Sequence, residues 1–372
     1  MEATERQLGL GRFPVTSGLL ALLVGVFAVE VLRGGSTDTL TLLRLGANFP
    51  PFVFDGQWFR LLTAALLHIG PLHLLMNAWA LWQLGRLSEI TFGGPATLAL
   101  FVITGITGSA LTLLDTKVSA GASGALFGIE GALLSFFLRH RERLTASGKA
   151  LLKQLLVWSG FMLVYSFAVP GIDWLGHIGG LLGGLAIGWA LKPWRGGPPG
   201  PVARIAGVLS ALAIVAALAA VVASDRFVAV RSEERGLALD APASWKVDPR
   251  EPGLVVRDPL SAFGSAAFVS AGIETAPDRE AALRLALEEG GGPPGGWELG
   301  PEARESGGGW LRRTFVWRPG GGELAGFAQA RCDGDRCVVV LAAAEGSRYG
   351  DSLAVLERIA DSAHALPQAA AR

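Results

Sequence analysis

The chain has 372 residues, a mean hydropathy of +0.43 and only 17% charged side chains, where a soluble protein carries about 25%. With a formal net charge of zero and a pI near 7.0, nothing favours a nucleic-acid partner. Five histidines and two cysteines exclude a zinc cage of the usual Cys/His spacing, and no cofactor is expected.

The charge deficit falls in the first 225 residues, where apolar runs long enough to span a bilayer recur. Seven runs read as spans: about 15–33, 58–85, 94–114, 119–138, 150–170, 174–191 and 203–223. The third and sixth carry no charged side chain, while the others admit one or two, such as Arg60, Glu130 and Lys153. The first run follows Arg6 and Arg12, is too long for a cleaved signal peptide and lacks a small-residue cleavage site. It reads as a permanent anchor. The expected organisation is a cytosolic segment over 1–14, a six-span core over 15–192 and a linker over 193–202. A seventh transmembrane helix over 203–224 then leads to an extracytoplasmic domain over 228–372.

Orientation follows from the loops. Arg139, His140, Arg141, Arg143, Lys149 and Lys153 lie between spans four and five, and Lys192, Arg195 and Arg204 between six and seven. The excess of Lys and Arg puts both loops and the N-terminus in the cytosol, so seven spans carry the last domain outside. The stretch 34–57 is then external. Its Asn48-Phe49-Pro50-Pro51-Phe52 and Trp58-Phe59-Arg60 suit a segment lying among the lipid headgroups.

From Phe227 the pattern becomes that of a small soluble α+β domain. Leu254–Val256, Ala266–Val269, Thr314–Trp317 and Val338–Leu341 read as strands. Arg279–Glu289 and Asp351–Ala363 read as amphipathic helices. Cys332-Asp333-Gly334-Asp335-Arg336-Cys337 carries a hairpin signal, and its two cysteines are placed to bond across it in an oxidising compartment.

Polar residues inside apolar runs are costly and mark functional sites. Span two holds His68, His73 and Asn77. On one helix, His73 and Asn77 share a face and His68 lies about 140° from His73, a divergence that makes a poor metal site. Ser123 opens span four within Gly121-Ala122-Ser123-Gly124, where glycine admits a close carbonyl and free N–H groups near a helix start can hold an oxyanion. His177 lies in span six, whose Gly176, Gly180, Gly184 and Gly188 recur every four residues. Span four has a matching set at Gly121, Gly124, Gly128 and Gly131. Such stripes let transmembrane backbones pack closely, which would bring Ser123 to His177. With spans two, four and six all running inward, these polar groups fall at comparable depth in the outer half of the bilayer. The residues point to a serine hydrolase built inside a membrane.

Over residues 12–192 the chain resembles the rhomboid intramembrane serine proteases, through Trp58, Arg60, His68, His73, Asn77, the Gly121–Gly124 motif, His177, Gly180 and Gly184. The resemblance implies Ser123 as nucleophile and His177 as general base and then acid, without a third carboxylate. It further implies an oxyanion hole from the Ser123 N–H with His73 and Asn77, beside Gly121. Substrates would be transmembrane segments cut near their outer ends, admitted by movement of span five or of the loop after it. The outer domain would recruit or screen substrates, or bind a partner protein. Phe127 falls where the family often has tyrosine, and Glu130 departs from the family pattern. Asp173, four residues before His177, reads as a helix end. Two alternatives are a non-proteolytic rhomboid-like protein that binds or diverts transmembrane clients and a small-solute carrier.

Overall fold

The computed structural model describes residues 13–115, 117–193, 196–260, 267–289, 297–318 and 322–367. Arg6, Arg12, most of the expected 1–14 segment, Arg195 and Ala266 lie outside these residues. The chain divides into two compact units, Met1–Val221 and Val222–Arg372.

The first unit is helical: α1 (Pro14–Leu32), α2 (Thr39–Arg44), α3 (Pro50–Phe54), α4 (Arg60–Thr63), α5 (Pro71–Phe92), α6 (Gly94–Thr112), α7 (Ser123–Arg139), α8 (Ala146–Ala168), α9 (Trp174–Ala190) and α10 (Pro201–Ser224). Among the described residues, α1, α6, α8 and α10 are each long and apolar enough to cross a membrane. A fifth crossing is possible for α4 and its following turn taken with α5, and α9 is a shorter apolar helix.

The run 58–85, read above as one continuous span, is bent by 94° between Leu66 and Pro71. Gly70 takes φ 84°, a left-handed conformation that only glycine adopts cheaply, and Pro71 opens α5 where its missing N–H costs nothing. His68 therefore sits in the break rather than on a helix, and the angle drawn between it and His73 does not apply. The stretch after α1 is folded rather than a free loop, with Leu40, Leu42, Leu43, Phe52 and Val53 all buried.

Two carboxylates fix α1. Glu89 at the end of α5 accepts the Thr16 N–H at 2.7 Å and the Thr16 hydroxyl at 2.6 Å, capping the first turn of α1 from another helix. Glu30 near the other end of α1 accepts the His68 N–H at 3.0 Å and so ties the break to α1. Helix α7 is the centre of the unit: every residue from Ala125 to Ser135 is buried. Leu126, Ile129 and Leu133 belong to the main apolar cluster with Leu66, Leu81, Leu100 and Phe101. By contrast α8 buries only Leu155, Ser159 and Ser166.

The second unit is the α+β domain. Strands β1 (Phe227–Ser232), β2 (Leu237–Pro242), β3 (Lys246–Asp248), β4 (Leu254–Arg257), β5 (Phe268–Thr275), β6 (Glu298–Leu299), β7 (Arg304–Ser306), β8 (Trp310–Trp317), β9 (Leu324–Asp333), β10 (Arg336–Glu345) and β11 (His364–Ala365) pair antiparallel throughout. They form a three-stranded sheet ordered β1-β2-β11 and an eight-stranded sheet centred on β5-β10-β9-β8. Helices α11 (Arg279–Arg284) and α12 (Tyr349–Ser362) complete it. Successive residues of β10 serve separate cores: Val338, Val340 and Ala342 pack with Leu356 and Ile359 of α12. Cys337, Val339 and Ala343 pack with Ala282 and Leu283 of α11. A strand buried on both faces reads as an unbroken apolar run, which is what Val338–Leu341 is.

Cys332 and Cys337 face each other across β9–β10 and are disulfide-bonded. The pairing Asp333 to Arg336 leaves Gly334-Asp335 as the two-residue loop. Gly334 takes φ 63° at its first position, as a II′ hairpin requires.

Candidate active site

The site is assembled by glycine packing. Gly180 and Gly184 of α9 lie directly against the carbonyls of Gly124 and Gly128 of α7, leaving no room for a Cβ at either position. Gly188 continues the row against Ala132, and Gly131 of α7 meets the Leu181 carbonyl. A second face of α9, Gly179 and Gly183, packs on Thr107 of α6. The α7–α9 axis distance is thus set by backbone contact.

That distance brings the Ser123 hydroxyl 2.8 Å from His177 Nε2. Ser123 is the first residue of α7, whose N-terminus has no side-chain cap, so the opening N–H groups are left without intrahelical partners. The segment leading to it is clamped. Ser119 exchanges two backbone hydrogen bonds with Asn48, at 2.9 and 2.8 Å, and the Gly121 N–H donates to the Ala64 carbonyl at 2.9 Å.

Asp173 does not contact the imidazole through any hydrogen bond. It caps α9, accepting the Gly176 N–H at 2.8 Å. Its other oxygen accepts the Ser119 hydroxyl at 2.5 Å and the Thr112 hydroxyl at 2.7 Å. One carboxylate therefore joins α6, the approach to Ser123 and the helix bearing His177. The His177 ring is held further by stacking on Phe127, with centroids 4.4 Å apart and planes 25° apart. On its far side, Nδ1 lies 2.6 Å from the Ser166 hydroxyl of α8.

His73 comes to the same place from α5. A Cβ on Gly121 would lie 2.6 Å from His73 Cε1 and 2.9 Å from Nε2, so the ring is seated on the bare Gly121 backbone. Gly121 also takes φ 143°, outside the range of side-chain-bearing residues. His73 Nδ1 accepts the Ile69 N–H at 3.3 Å, which places the ring proton on Nε2, the nitrogen facing the site. Asn77 donates to the His73 carbonyl at 2.9 Å, one turn below. His68 is fully buried and meets the His73 ring edge-on at 5.3 Å.

Ser123, His177, His73, Asn77, Gly121 and Ser166 line one cleft of about 860 Å³, bounded by Leu72, Met76 and Trp79 of α5 and by Trp158, Met162 and Tyr165 of α8. Trp79 and Trp158 meet edge-on at 5.9 Å. Glu130 lies on the cleft wall beside Ser159 of α8. The sequence reading did not single out Ser166, Ser119 or Thr112. Ser159 and Ser166, seven residues apart on one face of an apolar run, were the signal that could have marked the inner face of α8.

A family profile described as the Rhomboid domain matches residues 55–194. The Rhomboid protease GluP of Bacillus subtilis is 39% identical over 206 residues, covering 55% of this chain and 40% of its own length. RHOMBOID-like protein 7 of Arabidopsis thaliana is 34% identical over 178 residues, 46% of this chain and 56% of that protein. YdcA of Bacillus subtilis, a candidate rhomboid protease, is 31% identical over 182 residues, which are 47% of this chain and 87% of YdcA. This chain thus spans about half the length of GluP and the Arabidopsis protein.

Proposed function

The chain belongs to the rhomboid family, and from that premise we propose that it is an intramembrane serine endopeptidase. In this reading α1, the bent pair α4–α5, α6, α7, α8 and α9 are the six spans of the catalytic core and α10 is a seventh. The observation that carries the reading is the 2.8 Å approach of Ser123 Oγ to His177 Nε2 at the wall of a cleft.

His177 Nε2 takes the proton from Ser123 Oγ as that oxygen attacks the substrate carbonyl, since serine is a weak nucleophile until a base accepts its proton. The tetrahedral oxyanion is held by the Ser123 N–H, His73 Nε2–H and the free N–H of the Asn77 amide. Each preorganised donor is worth about 3 kcal/mol in the transition state. His177 then returns the proton to the departing amine nitrogen, and water repeats the sequence on the acyl-enzyme. A regular helix hides its carbonyls, so substrates are transmembrane segments with small, helix-weakening residues near their outer ends.

The loops rich in Lys and Arg support a cytosolic N-terminus, with the cleft opening toward the outer leaflet and residues 228–372 outside. The Cys332–Cys337 bond supports the same placement, because disulfides persist in oxidising compartments. There the outer domain would recruit or screen substrates.

The test is cleavage of a single-span substrate in proteoliposomes, with fluorophosphonate labelling of the purified protein. Native chain cleaves and is labelled, whereas Ser123→Ala and His177→Ala do neither. Retained cleavage in either variant removes the pair from the mechanism.

A further inference from the structure

Ser166 of α8 is buried, at 2% exposed, and makes two hydrogen bonds. Its hydroxyl lies 2.6 Å from the Met162 carbonyl of its own helix and 2.6 Å from His177 Nδ1. A carbonyl oxygen only accepts, so the single Ser166 proton is committed to Met162. The Ser166 oxygen must then accept from His177, which requires the imidazole proton on Nδ1. A neutral imidazole has one N–H, so Nε2 is left bare, facing the Ser123 hydroxyl at 2.8 Å.

We propose that Ser166 is a positioning residue that holds His177 in its Nδ1–H tautomer, ready to receive the Ser123 proton. The proposal rests on the reading of Ser123 and His177 as the reacting pair. During attack the O–H bond of Ser123 breaks and an N–H bond forms at Nε2, while the other proton stays on Nδ1, donated to the Ser166 oxygen. The imidazolium gives up the Nε2 proton to the leaving amine and returns to the same tautomer. Without the Ser166 oxygen, the alternative tautomer places a donor against Ser123 and withholds the base.

The location of this residue adds a consequence. Leu155, Ser159 and Ser166 are the buried positions of α8, which is otherwise only lightly held by the bundle. The seat of α8 is thus a condition of base competence: an outward displacement that parts Ser166 from His177 releases the tautomer.

The experiment uses the full chain in proteoliposomes, with kcat and KM measured for Ser166→Ala and for the isosteric pair Ser166→Thr and Ser166→Val. Thr keeps the hydroxyl, and Val keeps the shape without it. We expect Ser166→Ala and Ser166→Val to lower kcat by roughly three- to tenfold, the scale of one neutral hydrogen bond, with KM within about twofold. Ser166→Thr should recover at least about half the native kcat. Nitrogen-15 spectra of histidine-labelled protein should report Nδ1–H at His177 in the native and Thr forms and a tautomer mixture in the Val form. Native kcat in Ser166→Val, or a histidine spectrum unchanged by that substitution, overturns the proposal. Cleavage surviving in Ser123→Ala instead overturns the underlying pair, so the two failures are distinguishable.

Discussion

Gly180 of α9 rests on the Gly124 carbonyl of α7 with no space for a side chain, one helical turn below the point where Ser123 meets His177. The backbone contact therefore sets the hydrogen-bond distance above it. A methyl at Gly180 or Gly184 must push α9 away from α7. Overpacking of this kind costs typically 1–3 kcal/mol. We expect Gly180→Ala and Gly184→Ala to lower the unfolding temperature in detergent and to reduce fluorophosphonate labelling. Gly160→Ala on α8, with nothing within 4 Å of an added Cβ, should change neither. Native labelling in Gly184→Ala would show that α9 can be displaced without parting the pair.

The oxyanion donors can be weighed in the same assay. His73→Ala should lower kcat by roughly 10²–10³, the loss associated with one oxyanion donor. Gly121→Ala should approach that effect without removing a donor, since the new methyl displaces the His73 ring, whose Cε1 it would meet at 2.6 Å. An Ala variant at Gly121 with full activity would place the oxyanion away from His73.

Glu89 caps α1 from α5 through Thr16. Removing a buried acceptor leaves its donors unsatisfied at a cost of about 1–3 kcal/mol. Glu89→Ala should lower thermal stability by that amount, and Glu89→Gln by less, because the amide oxygen still accepts. Equal losses in the two variants would mean that the charge rather than the hydrogen bonds holds the helix.

The Cys332–Cys337 bond closes a short loop, with a sequence separation of 5. Loop-closure entropy on that scale corresponds to about 2 kcal/mol. The paired Cys332→Ala, Cys337→Ala chain should unfold its α+β unit more easily by that amount. Native protein should resist thiol alkylation until reduced. Alkylation without a reductant would argue against an oxidising compartment.

Asp248 offers a pH readout outside the helical unit. Hydrogen bonds from the Arg250 side chain, and then from its backbone N–H, hold the Asp248 carboxyl below its ordinary 3.8, at about 2. A carboxyl depressed on folding stabilises above its unfolded value, and that contribution is lost as pH falls through the folded value. Asp248→Asn should therefore reduce hydrogen-exchange protection of β3–β4 at about pH 5. The gap to native protein should shrink progressively from about pH 5 and close below the folded value, near about pH 1. A gap undiminished at about pH 1 would exclude this titration as its source.

Some of this protein was legible in its residues alone. Apolar runs from Pro14 to Ser224 announced membrane helices because the bilayer is a uniform solvent, and every segment crossing it must be apolar whatever its neighbours. Gly176, Gly180, Gly184 and Gly188 announced a close helix contact because only glycine permits backbones to touch. The same uniformity hid other features. Lipid-facing and buried helices are equally apolar, so hydropathy could not tell that α7 is central and α8 peripheral. The break at Gly70-Pro71 was masked by the apolar residues on either side of it. Strand β9 was legible only as the arm before the Asp333-Gly334 hairpin signal, because Leu324-Ala325-Gly326-Phe327-Ala328 lacks β-branched residues and its extended form comes from pairing between β8 and β10.

What only the tertiary structure decided are the partners of the polar groups. Glu89 with Thr16, Glu30 with His68, Asp173 with Ser119 and Thr112, and Ser166 with His177 are hydrogen bonds between residues 11 to 73 positions apart. A pattern in the chain records which residues favour a helix and which face avoids lipid. It does not record where that helix stops relative to another, and a hydrogen bond tolerates an error of only a few tenths of an ångström.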